Sequence, residues 1–239
     1  MNTNLIIAGT LFYISLTCLT LQSCVFSDGN FGPRLEEERN VGNFTALKVT
    51  SGIDVTLRQG NRAEVIIIAG ENNMDDVKSD VIDNELRLSV DGNWFHSNHV
   101  EAWITFVDLE SLDISAGSDV ESESLLKLGN IRIEASSGSD LKLTLEANEV
   151  ELRASSGSDA SLTGSARSLT AKASSGSDIN AYDFEVENAV LELSSGSDVK
   201  AWVTGSLEVD ASSGSDVYYK GDPDLLNIDT SGGSDVNKR

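Results

Sequence analysis

The sequence is short of basic residues, histidine, proline and cysteine, and each shortage removes a class of explanation. Lys and Arg number 17 against 39 Asp and Glu, a formal net charge of −22. Nucleic-acid binding relies on clustered cations that neutralise phosphates, so a nucleic-acid partner is excluded. An anionic membrane surface would repel the same body, and any attachment to a membrane has to be hydrophobic. The two histidines, His96 and His99, both fall in WFHSNHV, which reads as a loop. Their spacing would let them share a metal, but no third ligand stands near them in the sequence. Two prolines beside 20 glycines suit regular structure broken by tight turns rather than a disordered tail. No stretch repeats its apolar residues at a convincing period of 3.6, which argues against a helical fold. At 239 residues the chain can build one or two domains with a real core.

The one long apolar run is LIIAGTLFYISLTCLTL, residues 5–21. It is too short and too poorly flanked for a spanning helix. It leads into Leu21-Gln22-Ser23-Cys24, which resembles a bacterial lipobox. Such a signal is cut after the small residue, here Ser23, and the freed cysteine, here Cys24, carries the lipid on its thiol. The alternative is an ordinary signal peptide with a leftover cysteine. Cys18 lies inside the apolar run and is discarded on either reading, so the lipidated chain would keep no disulfide and no free thiol. Residues 1–23 are therefore expected as a signal peptide and 24–40 as a tether between lipid and fold.

What the sequence has in quantity is one repeated string. ASSGSD occupies residues 135–140 and returns with small changes along the chain. The aspartates that close each copy are Asp119, Asp140, Asp159, Asp178, Asp198, Asp216 and Asp235, spaced 18 to 21 residues apart. A fixed period near twenty marks a solenoid in which each repeat is one coil. Within a coil the small and apolar residues alternate strictly: Ile131, Ile133, Ala135, Leu141, Leu143 and Leu145, then Val150, Leu152, Ala154, Ala160 and Leu162. Such alternation describes strands with one buried face. Continued through the cluster, the frame turns both serines inward and leaves glycine and aspartate outside. The triplets Ser137-Gly138-Ser139, Ser156-Gly157-Ser158, Ser175-Gly176-Ser177, Ser195-Gly196-Ser197 and Ser213-Gly214-Ser215 are read as structural corners.

Parallel coils stack about 4.8 Å apart, so the seven aspartates would form a column of like charge. Each neighbouring pair then repels by ~0.9 kcal/mol at the dielectric of water and by more near the surface. Solvation, hydrogen bonds or cations have to offset this. Calcium, which takes carboxylate oxygens, is the one cofactor the column would suit; otherwise no cofactor is expected.

Residues 41–111 carry a divergent copy of the motif at Ser51-Gly52-Ile53-Asp54-Val55, followed by the strand-like EVIIIAG, ELRLSV and VEAWITFV, with a helical turn expected within 73–83. This part is expected to cap the regular coils of 112–239 or to add less regular ones. At the far end, Lys238 and Arg239 would guard the last edge strand. The ordered run NVGNFTALKVTSGIDVTLRQG, EVIIIAG, ELRLSV and serial SSGSD coils resembles the bacterial head GIN family, also called auto-transporter adhesins (DUF2807) and common among Bacteroidetes lipoproteins. The resemblance spans about residues 40–236. It implies an all-β, right-handed parallel β-helix of ~19-residue coils and a place in the cell envelope, and it brings no catalytic residues. No membrane-barrel segment follows the last coil, so self-export is not expected of this sequence alone.

The function these features point to is a non-catalytic envelope lipoprotein. It would be held in the outer membrane by its acyl chains and present its coils to a glycan or to an envelope or host protein. One alternative is a calcium-binding solenoid using the aspartate column. Another is a polysaccharide-active β-helix enzyme. A column of equivalent carboxylates is poorly suited to the latter, because acid–base pairs need unlike environments.

Overall fold

The computed structural model describes residues 32–92 and 99–239. It is built almost wholly of strands wound into stacked parallel coils. One sheet contains, in spatial order, β6 (Glu85–Val90), β2 (Ala46–Val49), β8 (Ser111–Ile114) and β11 (Asn130–Ala135). It continues through the second halves of the long strands β12 (Asp140–Ser155), β13 (Asp159–Ser174), β14 (Asp178–Leu193) and β15 (Asp198–Ala211), and ends on β17 (Leu225–Thr230). The facing sheet runs from β7 (Val100–Phe106) through β3 (Ile53–Gln59) and β9 (Asp119–Ser122) to the first halves of β12–β15. It closes on β16 (Asp216–Lys220) and β18 (Asp235–Lys238), with the two-residue β10 (Leu126–Lys127) beside β12.

The alternation in the sequence has its cause here. Leu141, Leu143 and Leu145 on one sheet and Val150, Leu152 and Ala154 on the other are all buried in the single core. The change from odd to even positions falls at 146–149, where the chain bends from one sheet to the other while remaining one continuous strand.

Chain order and spatial order disagree at the first coils. The coil made by β6 and β7 lies outside β2 and β3, although it follows them in the sequence. The chain then crosses to the opposite side, so that β8 and β9 pair with the other edges of β2 and β3. The excursion also covers the solenoid's outer edge. β4 (Glu64–Gly70) pairs antiparallel with β7, β1 (Arg34–Arg39) antiparallel with β4, and β5 (Val77–Ile82) antiparallel with β6. The N-terminal part thus both adds a coil and caps it. A 3₁₀ turn, Glu71–Asp76, stands where a helical turn was expected, and β5 takes the remainder of that segment.

Residues 34–39 differ from their expected role as tether. RLEEER is an edge strand with no fully buried residue, so it carries no hydrophobic pattern to betray it. At the other end no described strand covers the last coil. Leu226 and Ile228, which continue the inward columns of Leu207 and Val209, stand 51% and 40% exposed. Lys238 pairs there with Asp222, and Arg239 lies over the Tyr218 ring at 4.1 Å.

A corner, a carboxylate column and a groove

The SGS corners are built from two consecutive left-handed residues. Ser137 and Gly138 have φ of 58° and 68°, Ser156 and Gly157 58° and 69°, Ser175 and Gly176 59° and 69°. Ser195–Gly196 and Ser213–Gly214 repeat this. The pair swings the chain through the corner, and the alternating frame is interrupted there. The first serine of each triplet is exposed together with its glycine, and only the second (Ser139, Ser158, Ser177, Ser197, Ser215) is buried, each at 0% exposure. The expectation that both serines point inward is therefore corrected. Parity alone could not reveal this, because two left-handed residues occupy an even number of positions and leave the frame on either side matched.

The buried serine ties successive coils together. The Ser158 hydroxyl accepts the Ser155 N–H at 3.0 Å and donates to the Ala135 or the Ser155 carbonyl, each 2.9 Å away. The Ser158 N–H in turn donates to the Ser177 hydroxyl at 3.3 Å. Ser197 repeats the arrangement toward Ala173, Ser194 and Ser215. Gly157 donates its N–H to the Ser175 carbonyl at 3.2 Å, so the exposed turns also stack through their backbones. In the first coil Ile53 takes the buried position, and its N–H donates to the Ser118 hydroxyl at 3.2 Å.

Directly after each corner stands the aspartate. Asp54, Asp119, Asp140, Asp159, Asp178, Asp198, Asp216 and Asp235 are register partners in an unbroken column, with Glu101 beyond Asp54. Part of the mutual repulsion is offset by the backbone. The N–H groups of Asp198, Asp216 and Asp235 donate to the carboxylates of Asp178, Asp198 and Asp216, each at 3.2 Å. At the head of the column His99 Nε2 lies 3.0 Å from Asp54 and 3.5 Å from Glu101, and the Arg34 cation pairs with Glu101 at 3.0 Å. Loss of solvent pushes the Asp54 carboxyl above its usual range; His99 opposes this, while Glu101 and Glu121 add to it. Asp119 is pushed in the same direction, first by loss of solvent and then by Asp54. Among the described residues no group of three or more His, Cys, Asp or Glu is arranged to hold a metal ion. His96, Ser23 and Cys24 lie outside the described residues, and no described helix is long and apolar enough to cross a membrane.

A groove of about 650 Å³ opens on this face at the N-terminal coils. Asp54, Glu101, Asp119 and Asp140 line one side of it, and the next outward column contributes Trp103, Thr56 and Lys142. Trp103 is register partner to Thr56 in β3, and the Arg58 guanidinium lies 3.9 Å from its ring centroid while pairing with Glu123 at 2.5 Å. Sequence reasoning gave Trp103 no role. Its signal was its outward place in the alternation of VEAWITF, an aromatic where the pattern calls for a polar residue.

The model of DUF2807, described as putative auto-transporter adhesin, head GIN domain, matches residues 43–223. The chain belongs to the head GIN family. Among solved structures, this head GIN chain is similar to a putative adhesin from Bacteroides fragilis NCTC 9343. That match has a TM-score of 0.81 and 18% identity, over 87% of this chain and 97% of the other. A putative adhesin from Parabacteroides merdae ATCC 43184 matches at TM-score 0.68 and 16% identity, over 87% and 97% of the two chains. A structure called a putative lipid binding protein, from Parabacteroides distasonis ATCC 8503, matches at 0.66 and 15%, over 86% and 97%. At these identities the likeness is one of fold. No curated protein matches the chain.

Proposed function

We propose that this head GIN chain is a non-catalytic adhesion module of the cell envelope. It is anchored through lipid on Cys24 and recognises its ligand on the outer face that carries the carboxylate column and the Trp103 groove. The observation that carries the reading is the equivalence of the carboxylates in the groove. Asp54, Asp119, Asp140 and Asp159 hold the same place in successive coils, as register partners in one column. Acid–base catalysis on a saccharide needs two carboxyls driven apart, whereas a binding face has no such requirement. Family membership supports the adhesive reading, as does a backbone tied coil to coil by buried serines, which holds outward side chains in fixed rows.

The test displays the full chain on cells and measures adhesion of those cells to host-cell and bacterial surfaces, beside the Cys24→Ala variant. Adhesion by the parent chain, lost together with membrane fractionation in the variant, is the expected result. Parent cells that adhere no better than cells without the protein would overturn the reading.

A further inference from the structure

We infer that the Trp103 groove binds a neutral saccharide, with Trp103 as its apolar wall; the inference rests on the adhesion reading and adds the class of ligand. The aspartate column runs the whole length of the solenoid, so its carboxylates alone do not distinguish this place. What distinguishes it is concavity and an aromatic side chain. The volume of about 650 Å³ lies within the range of small-ligand sites. A sugar ring presents both things the groove offers contacts for: C–H faces that pack on an indole, and hydroxyls that donate to Asp54, Asp119 and Asp140 or accept from Thr56 and Lys142.

The charges narrow the class further. Carboxylates dominate the lining and repel uronic or sulfated sugars. A cationic ligand is disfavoured for a different reason. One face of the Trp103 ring already carries the Arg58 guanidinium at 3.9 Å, and Arg34 already pairs with Glu101 at 3.0 Å. A cation brought to that face of the ring would meet the like charge of Arg58, and a neutral, hydroxyl-rich ligand meets no like charge there.

The full chain in detergent micelles is titrated calorimetrically with neutral gluco-, galacto- and manno-oligosaccharides, with oligogalacturonate and with oligolysine. The expected result is binding of at least one neutral oligosaccharide and none of oligogalacturonate. Trp103→Ala should weaken that binding by about tenfold or more, given the usual worth of an aromatic contact, and Trp103→Phe should restore most of it. Asp198→Asn, on the same column outside the groove, should leave it unchanged. Lys142→Ala, an exposed position, gives the same reading if Trp103→Ala proves poorly folded. Absence of binding by every neutral member overturns the inference, as does binding indifferent to Trp103 and Lys142. Binding of oligolysine alone overturns it in favour of a basic peptide. Cells that still adhere when the saccharide arm fails would leave the adhesion reading standing and remove only this ligand.

Discussion

Replacing Ser158 by alanine, and in parallel Ser156, separates the two serines of one corner. Ser158 is fully buried and its hydroxyl serves as acceptor for the Ser155 N–H and donor to a carbonyl. Alanine leaves those buried and half-buried backbone groups with one partner fewer, a loss of about 1–2 kcal/mol. In a fold of this size that lowers the melting midpoint by roughly 2–8 °C. Ser156 is exposed and left-handed at φ 58°. Alanine there keeps the same backbone and loses no buried hydrogen bond, so the change should stay within about 0.5 kcal/mol. Thermal melts by circular dichroism give the midpoints, and hydrogen exchange at the Ser155 amide reads the local opening directly. Equal effects of Ser156→Ala and Ser158→Ala, or a neutral Ser158→Ala, would refute the ladder.

Two glycines with positive φ should respond unequally to alanine. At Gly164 a Cβ would lie 2.1 Å from the Leu145 carbonyl oxygen, so Gly164→Ala should cost about 4 kcal/mol or prevent folding, whereas Gly157 has open space and Gly157→Ala should cost only the ~1–2 kcal/mol of a left-handed residue; comparable melting midpoints would contradict this. The raised carboxyl of Asp119 favours its protonated form in the fold, so the contribution of that group to stability is largest at low pH and is lost as pH rises through its folded value. Asp119→Asn should therefore melt above the parent chain at pH 7, with the difference closing below the ordinary aspartate value of 3.8; a variant that melts lower at pH 7 would reverse the sign.

The regular half of the fold was legible because each coil repeats the last. Period, alternation and corner string all report one geometry, and the aspartates of the string are register partners from Asp119 to Asp235. The same regularity concealed the corner's true shape, since Ser137 and Gly138 together leave the frame intact. The N-terminal half was less legible for a topological reason. The coil of β6 and β7 lies outside β2 and β3, and nothing in a linear sequence marks a coil placed out of order. β1 escaped notice because an exposed edge strand buries nothing. The groove belongs to neither pattern: it arises where the out-of-order β7 brings Trp103 beside Thr56 and Asp54 beside Glu101.

The central claim is that the outer face recognises a ligand and leaves it unchanged, and a bead-retention time course tests it most directly. Beads coated with the full chain are applied to immobilised bacterial and host-cell surface material, and attached beads and soluble saccharide are followed for many hours. The account predicts attachment that persists without release of saccharide. Beads that never attach, or that attach and then detach as shortened saccharide appears in solution, would contradict it.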